Sequence, residues 1–428
     1  MITFDDVSFA YQGGIPDGSE PPALRHIHFH AERGECIVLC GKSGCGKTTM
    51  LRMVNGLVPH FYQGRLEGDI TVGNVHIKEA SLPQVAAVVG SVFQNPRTQF
   101  FHLDTTGEMA FNMENLNIPH DKMVERLKET AWKLDIQTLM DRDIFQLSGG
   151  EKQQIACGSV YASMPEVIVM DEPSSNLDME SIRKLQDLIR TMKDEGKTIL
   201  ISEHRLWYLE DIADRYVLLK DGQIENDFTS DEILALSLQE LEQSGLRAVR
   251  RKQLWNMGTR TIRQEKDMEK AAFLEIEGLR FSHQMRQVLD INRLAIPKGA
   301  IVAVIGENGA GKSTFALCLC GLLKHHGTVR INGERISNKK LPEQAYLVMQ
   351  EPGHQLFSDS VLGELMLNKG TVTETEAVAV LEKMGLAGLE NRHPGSLSGG
   401  QQQRLSLSAA LCTNREIMLY DEPTSGQD

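Results

Sequence analysis

The chain has 428 residues, more than a single domain of about 100 to 200 residues usually holds. Its hydrophobic fraction of 41% and charged fraction of 24% are ordinary for a globular protein, which excludes global disorder, a collagen-like sequence and a coiled-coil rod. The net charge of -13 argues against a surface built to hold nucleic acid.

Two further features bear on location and on metal chemistry. No apolar run approaches the roughly 18 residues of a spanning helix, and residues 1–10 lack the order of a signal peptide, so we expect a cytosolic chain. The seven cysteines form no CxxC pair, which favours neither a disulfide framework nor a zinc site.

The start of the chain predicts a sheet that leads into a glycine-rich loop. Val7, Phe9 and Tyr11 alternate with small or polar residues, which predicts a half-exposed strand. The apolar run at 35–39 predicts a buried parallel strand, and the loop GKSGCGKT at 41–48 follows it. This loop fits G-x-x-x-x-G-K-[ST], in which backbone N–H groups and a helix N-terminus hold phosphate.

Later segments place acidic and polar residues after predicted elements. Residues 121–139 look helical and precede the sequence LSGG at 147–150. A buried strand at 167–170 ends in Asp171 and Glu172, and another at 198–202 ends in Glu203 and His204. Carboxylates at strand ends beside a phosphate loop are candidates for metal binding and for activating water.

The middle of the chain predicts a linker. Residues 244–270 contain eight Lys/Arg against three Asp/Glu and show no clear apolar period. A solvated tether is favoured, and contact with anionic lipid or RNA is the alternative. We therefore expect a first domain at 1–235, a linker at 236–271 and a second domain at 272–428.

The second half repeats the first. The loop GENGAGKS at 306–313 follows a predicted strand at 300–305, and LSGG and DEP recur 250 residues after their first copies. Leu279, Phe281 and His283 repeat the opening alternation, and a buried strand is predicted at 417–420. A second group of identical residues recurs at a separation of 256 positions. It pairs Gln94, Gln99, Gly107, Glu108 and Asn112 with Gln350, Gln355, Gly363, Glu364 and Asn368. The chain therefore contains a duplicated domain.

The second copy stops early. Asp428 corresponds to Asp178 of the first copy, so the counterparts of the strand at 198–202 and of His204 would fall past the last residue. A sheet without that strand would expose an apolar parallel edge. We expect these residues to be a fragment of a longer reading frame.

The repeated residues suit phosphoryl transfer from a nucleoside triphosphate. Lys47 and Lys312 would reach the β- and γ-phosphates. The predicted ligands of Mg²⁺ are Thr48 and Asp171 in the first copy and Ser313 and Asp421 in the second. Gln94 and Gln350 are suited to contact either Mg²⁺ or the attacking water, so they are candidates for both metal binding and catalysis. Glu172 and Glu422 are the candidate general bases, and His204 would bond the γ-phosphate.

At these residues the chain resembles the ATP-binding cassette (ABC) family, whose signature sequences LSGGE and LSGGQ stand here at 147–151 and 397–401. The resemblance implies an α/β fold with two P-loop NTPase cassettes, each with a parallel-sheet core, an antiparallel β subdomain and a helical subdomain. It also implies that the cassettes pair head to tail within one chain. The nucleotide-binding residues it implies are Tyr11, Gly41, Gly44, Gly46, Lys47, Thr48, Thr49, Ser148, Gly150, Gly306, Gly309, Gly311, Lys312, Ser313, Thr314, Ser398 and Gly400.

Two positions depart from the family pattern. Tyr11 matches the aromatic residue that stacks on adenine, whereas the second copy has His283 there, and strand-face packing is the alternative role for Tyr11. Residues 174–178 are close to the family's D-loop, but residues 425–428 lack the usual leucine.

The segment at 92–115 resembles the ATPases of energy-coupling-factor (ECF) importers of vitamins and metals, and its aromatic residues Phe100, Phe101 and Phe111 suggest a docking surface or ordinary core packing. The fused pair resembles ECF ATPases assigned to hydroxymethylpyrimidine or thiamine import. This resemblance implies ATP and Mg²⁺, a transmembrane subunit, a substrate-binding membrane subunit and a place on the cytoplasmic face of the membrane. The alternatives are a twin-cassette ATPase of a sugar importer and a ribosome-associated twin-cassette translation factor.

Overall fold

The computed structural model describes residues 1–12, 22–175, 177–252, 272–283, 286–367 and 372–423. These residues form two compact units, one within 1–252 and the other within 272–423. Within these ranges no helix is both long and apolar enough to cross a bilayer.

The first unit contains two sheets. Its strands are β1 (Ile2–Tyr11), β2 (Leu24–Ala31), β3 (Cys36–Cys40), β4 (Gly64–Val72), β5 (Val75–His76), β6 (Val89–Val92), β7 (Val167–Asp171), β8 (Thr198–Ser202), β9 (Arg215–Lys220) and β10 (Gln223–Thr229). An antiparallel sheet has the order β2-β1-β4-β5, and the larger sheet has the order β10-β9-β3-β8-β7-β6. In the larger sheet β9, β3, β8, β7 and β6 run parallel, while β10 pairs antiparallel with β9.

Strand β3 shows why the predicted strands are continuous apolar runs. Cys36, Val38 and Cys40 face one core cluster, whereas Ile37 and Leu39 face the other. Because a central parallel strand is covered on both faces, every side chain of β3 is buried. The predictions for 35–39, 167–170 and 198–202 are confirmed by β3, β7 and β8.

Helices cover the parallel sheet and follow its strands. They are α1 (Lys47–Val54), α2 (Leu57–His60), α3 (Leu82–Ala86), α4 (Thr105–Asn115), α5 (His120–Lys133), α6 (Gly149–Ala162), α7 (Met179–Asp194), α8 (Ser230–Ala235) and α9 (Leu238–Gln243). The helix predicted at 121–139 is shorter in the structure. It corresponds to α5, which ends at Lys133, and a short 3₁₀ turn follows at Gln137–Leu139. Helix α7 is amphipathic and buries Leu185 and Ile189, one turn apart, in the core beneath the sheet.

The second unit repeats the antiparallel sheet and the helices. Its strands are β11 (Ala272–His283), β12 (Arg286–Pro297), β13 (His326–Ile331), β14 (Glu334–Ile336), β15 (Ala345–Val348) and β16 (Ile417–Tyr420). Its helices are α10 (Lys312–Leu319), α11 (Leu341–Gln344), α12 (Val361–Leu365), α13 (Glu374–Lys383) and α14 (Gly399–Leu411). The antiparallel sheet has the order β12-β11-β13-β14, and β15 pairs parallel with β16.

The strand predicted at 300–305 is not formed. Residues 301–305 have no strand assignment, and Ile301 and Ile305 are exposed. In the first unit the equivalent β3 bonds to β8 on one side and to β9 on the other. Among the described residues of the second unit, no strand lies beside 301–305, and an extended apolar run without ladder partners does not form a strand. The prediction was wrong because it considered the run without its neighbours.

The expected boundary at 235 also differs from the structure. Helix α9 follows it, and Leu241, Leu246 and Val249 are buried in the core of the first unit. These apolar side chains make residues 238–249 part of that unit rather than a solvated tether. The remainder of the predicted linker, 253–271, lies outside the described residues.

Candidate functional site

The glycine loop of the first unit lies between β3 and α1, as the motif predicts. Gly46 has a φ of 111°, and a Cβ on it would lie 2.6 Å from Cδ2 of Leu24. Both the backbone angle and the close side chain therefore require glycine. Gly311 repeats this in the second unit, with a φ of 95° and a Cβ that would lie 2.9 Å from Cδ2 of Leu289.

The lysine of the first loop is held inside the loop. Lys47 is 4% exposed, and its Nζ donates hydrogen bonds to the carbonyl oxygens of Gly41 at 2.7 Å and Lys42 at 3.1 Å. An ammonium group directed into a loop of backbone N–H groups is the arrangement that binds phosphate.

Thr48 and Asp171 come together although they are 123 residues apart in the chain. The Thr48 hydroxyl donates to Oδ1 of Asp171 at 3.1 Å, and the Ser202 hydroxyl donates to the same oxygen at 2.6 Å. Burial raises the pKa of Asp171, and the Ser202 bond opposes this rise. Asp171 thus presents a half-buried carboxylate at the end of β7, beside the glycine loop.

The oxygen donors around Asp171 suit Mg²⁺. A hydroxyl, a carboxylate and a nearby amide are hard ligands, and Mg²⁺ is commonly held by one or two carboxylates together with substrate phosphates. Thr48, Asp171 and Gln94 all line one cleft, which supports the predicted set of ligands. In the described part of the chain, no three His, Cys, Asp or Glu side chains are grouped so that they could hold a metal ion.

Glu172 is contacted by Gln94 and by His204, two other predicted site residues. Gln94 donates from Nε2 to Oε2 of Glu172 at 2.7 Å, and Nε2 of His204 lies 3.2 Å from Oε1. The Glu172 backbone has a φ of 42°, and its N–H donates to the carbonyl oxygen of Ser202. This left-handed conformation directs the carboxylate away from the core, between Gln94 and His204.

Tyr11 stands at the other end of the loop. A cleft of about 240 Å³ is lined by Tyr11, Gly44, Lys47, Thr49 and Glu172, among others. The Tyr11 hydroxyl is 3.1 Å from Oγ1 of Thr49. The cleft therefore has a polar phosphate-binding end and an aromatic end, which suits a nucleotide.

Both LSGG sequences begin a helix. The Ser148 hydroxyl accepts from the N–H of Glu151, and the Ser398 hydroxyl accepts from the N–H of Gln401. Each serine is the N-cap of its helix in a capping box. Gly150 has a separate structural role, because a Cβ there would lie 2.1 Å from the Ser181 hydroxyl of α7.

The second unit repeats part of this site. Lys312 donates to the carbonyl oxygens of Gly306 and Glu307, and Gln350 donates to Glu422 at 2.9 Å. Ser313 is exposed, and within the described residues it forms no hydrogen bond with Asp421. The loop residues Gly306, Gly309 and Gly311 lie before α10 with Ser313 and Thr314 in its first turn.

Sequence reasoning gave no role to two charged residues next to His204. Glu203 is buried and accepts from the N–H of Ser174 and from the hydroxyl of Tyr208. Arg205 donates to the carbonyl oxygens of Ser174 and Leu177. Together they hold the described part of segment 174–178, and the signal was three polar residues directly after an apolar strand.

The predicted docking segment is held by two of its repeated residues. Glu108 is 2% exposed, and its Oε2 accepts from the N–H groups of Phe101 and His102. Gln99 accepts from the N–H of Phe93. Phe100 packs against the core, whereas Phe101 is exposed and stacks on Phe111. Phe100 therefore has the core-packing role, and only Phe101 presents a free aromatic face.

Comparisons with known proteins agree with this arrangement. A family model described as "ABC transporter" matches residues 24–175 and 289–425. A putative ABC transporter ATP-binding protein of Treponema denticola is 41% identical over all of this chain and 87% of the relative. The putative HMP/thiamine import ATP-binding protein YkoD of Bacillus subtilis is 31% identical over all of this chain and 82% of the relative.

A solved structure is similar to part of the chain. CbiO1 from Clostridium perfringens, described as part of the ABC transporter complex CbiONQ, has a TM-score of 0.50 and 25% identity. The match covers 56% of this chain and 94% of the solved chain.

Proposed function

The chain belongs to the ABC transporter family, as an ATP-hydrolysing subunit, and we propose that it powers import by a transporter of the ECF type. In this proposal Lys47, Thr48 and Asp171 hold the triphosphate and Mg²⁺, which supplies charge neutralisation at the phosphates. Glu172 orients and deprotonates the attacking water, with Gln94 and His204 bonded to its two oxygens.

The observation that carries the transport proposal is an exposed apolar patch on the first unit, formed by Phe101, Leu103 and Phe145, which we call the docking patch. The three side chains are 73%, 71% and 75% exposed. The N–H of Ile144 donates to the carbonyl oxygen of Leu103, so the two chain segments that carry the patch are adjacent. Large exposed apolar side chains grouped on one face are typical of a protein interface.

The second unit carries a similar feature. Glu364 accepts from the N–H groups of Phe357 and Ser358, as Glu108 does in the first unit, and Phe357 is 79% exposed. Two exposed aromatic residues held in the same way support one docking position on each cassette. The partner we propose is a transmembrane subunit, since relatives are described as ATP-binding proteins of ABC transport systems.

The relatives support import of a small nutrient. One similar protein is described as an HMP/thiamine import ATP-binding protein and another as part of the CbiONQ complex. We therefore propose a vitamin, a vitamin precursor or a metal ion as the cargo, chosen by a separate substrate-binding membrane subunit. The chain would act on the cytoplasmic face of the membrane.

The test is capture of membrane partners by the full chain from detergent-solubilised native membranes, followed by mass spectrometry. The bait is compared with a Phe101→Asp, Leu103→Asp double variant. We expect the unaltered chain to bring down a small polytopic protein and a second, substrate-binding membrane protein, and the variant to lose both. A matched control is Phe61→Asp, because Phe61 is similarly exposed but lies after α2, outside the docking patch.

Two outcomes would contradict the proposal. Salt-sensitive co-sedimentation with ribosomes and no membrane partner would favour the translation-factor alternative. Capture of two large membrane subunits together with a sugar-binding protein would favour the sugar-importer alternative.

A further inference from the structure

Tyr11 is held by aromatic edges as well as by its hydroxyl. The Phe9 ring lies 4.8 Å from the Tyr11 ring, and the Tyr62 ring lies 6.3 Å from it, both edge to face. These arrangements place positive ring edges against negative ring faces, which fixes the orientation of an aromatic side chain. The Tyr11 ring is therefore constrained from two sides.

The register between β1 and β4 brings Tyr62 to this position. Tyr11 pairs with Gly64, and the N–H of Gln12 donates to the carbonyl oxygen of Gln63. A Cβ on Gly64 would lie 2.2 Å from the carbonyl oxygen of Ala10, so the two chains approach closely here. Tyr62, two residues before Gly64, is thereby placed beside the end of β1.

Arg52 connects Tyr62 to Tyr11. Its guanidinium lies 4.2 Å from the centre of the Tyr62 ring, and its Nη1 donates to the Tyr11 hydroxyl at 3.4 Å. The first distance is well within the range of a cation–π contact, while the hydrogen bond is long and adds less. Arg52 is half-buried on α1, the helix that begins with Lys47, so it ties the aromatic end of the cleft to the phosphate-binding helix.

Among its described residues, the second unit does not contain this arrangement. Counting from the loop lysine of each copy, Arg52 corresponds to Leu317. In the alternating residues of the opening strand, Tyr11 corresponds to the exposed His283. The connection from helix to sheet is residues 55–63 in the first unit but only 320–325 in the second, and the shorter one contains no tyrosine. A tyrosine, an arginine and a second tyrosine are thus present together in one copy alone.

We propose that Arg52 and Tyr62 are positioning residues that hold the Tyr11 ring for contact with the nucleobase of ATP, and that they make the first cassette the one that discriminates for the base. This inference rests on the proposed role of Tyr11 in binding adenine. Without the two residues, the Tyr11 side chain would keep its Thr49 contact but lose the edge and cation contacts that set its ring plane. The second cassette would bind mainly through the triphosphate.

The test compares the affinities of two ligands, one with a nucleoside and one without. The full chain carries Lys312→Ala, so that the first cassette binds alone. The ligands are a non-hydrolysable ATP analogue and inorganic tripolyphosphate, each with Mg²⁺, measured by isothermal titration calorimetry. We expect Arg52→Leu and Tyr62→Leu each to weaken binding of the ATP analogue about 2- to 10-fold. Binding of tripolyphosphate should change by less than about 2-fold.

Controls separate positioning from simple structural damage. Tyr62→Phe keeps the ring beneath Arg52 and should restore the affinity. Arg65→Leu removes an arginine of β4 whose guanidinium pairs with the exposed Glu67, and it should leave both affinities as they are. The double variant of Arg52 and Tyr62 should be no weaker than either single variant, because both act through Tyr11.

Each contrary outcome has a distinct meaning. If Tyr11→Leu leaves the preference for the ATP analogue unchanged, the proposed contact of Tyr11 with adenine is wrong. If Tyr11→Leu removes the preference but Arg52→Leu and Tyr62→Leu keep it, the positioning proposal is overturned and the proposed function stands. An equal loss for both ligands would place Arg52 at the phosphate end and also overturn the proposal.

Discussion

Gln94 donates a hydrogen bond of 2.7 Å to the carboxylate of Glu172, and the second copy repeats it between Gln350 and Glu422 at 2.9 Å. In the first unit His204 contacts the other carboxylate oxygen. A carboxylate bonded at both oxygens has a fixed direction, which a general base needs if it is to meet a water molecule in line with the γ-phosphate. The glutamine is thus a partner of the base as well as a candidate metal ligand.

We expect Glu172→Gln to abolish most ATP hydrolysis while ATP stays bound. An amide of the same shape keeps the contacts with Gln94 and His204 but accepts no proton, and loss of a general base costs about 10²- to 10⁴-fold in rate. The measurement is single-turnover hydrolysis by the complete transporter complex, with Glu172→Asp as a control that keeps a carboxylate. Equal rates for Glu172→Gln and the unaltered chain would exclude Glu172 as the base.

We expect Lys47→Ala to lose ATP binding, whereas Glu172→Gln loses ATP hydrolysis. The Lys47 ammonium is directed into the glycine loop, and a hydrogen bond to a charged group contributes about 1.5–3 kcal/mol, so affinity for ATP at the first cassette should fall about 10- to 100-fold. Lys42→Ala is the matched control, because Lys42 is an exposed lysine of the same loop. Binding that survives in Lys47→Ala but falls in Lys42→Ala would reverse these assignments.

The site illustrates what the sequence permits and what it does not. Lys47, Asp171, Glu172 and His204 could be located from the motifs, because a phosphate loop and the ends of buried parallel strands meet at one edge of the sheet. The contact between Arg52 and Tyr62 could not, because it depends on the register of β1 with β4 and on the length of the connection before β4.

The fold shows the same division. The strand at 198–202 was predicted with its observed bounds, since a doubly covered strand is a continuous apolar run. The run at 300–305 is also continuously apolar but forms no strand, because strand formation also requires neighbours that supply hydrogen bonds. Residues 238–249 were assigned to a linker, since a few buried apolar side chains such as Leu241 give no clear period.

The stability of the first unit should depend on pH through Glu151. The corresponding residue of the second copy, Gln401, carries no titratable group. Burial tends to raise the pKa of Glu151, but the bonds from Ser148 and from Arg142 outweigh it and lower the pKa. The stabilisation is therefore present above the unfolded-state pKa and is lost as the pH falls through the lower folded-state pKa. Glu151→Gln keeps the capping geometry seen at Gln401 but removes this charge.

We accordingly expect Glu151→Gln to lower the stability of the first unit by about 1 kcal/mol or less at pH 7, since the Arg142 pair is partly exposed. The difference should shrink as the pH is lowered to about 4 and below. Urea unfolding at several pH values measures it, with Gln401→Glu as the reverse change. A difference that grows on acidification would contradict the lowered pKa of Glu151.

Glu108 should connect the stability of the docking segment to partner binding. Its buried carboxylate accepts from the N–H groups of Phe101 and His102, so Glu108→Ala leaves both donors without it. An unsatisfied buried group costs about 1–3 kcal/mol. This loss of stability should be confined to residues 100–104 and should not extend across the sheet. Hydrogen exchange should therefore speed up at 100–104, capture of the membrane partner should weaken, and ATP binding at Lys47 should remain.

Glu108→Gln keeps one acceptor and should restore part of the protection, while Glu125→Ala, on the exposed face of α5, is the matched control. Unchanged exchange at 100–104 in Glu108→Ala would show that Gln99 alone holds this segment.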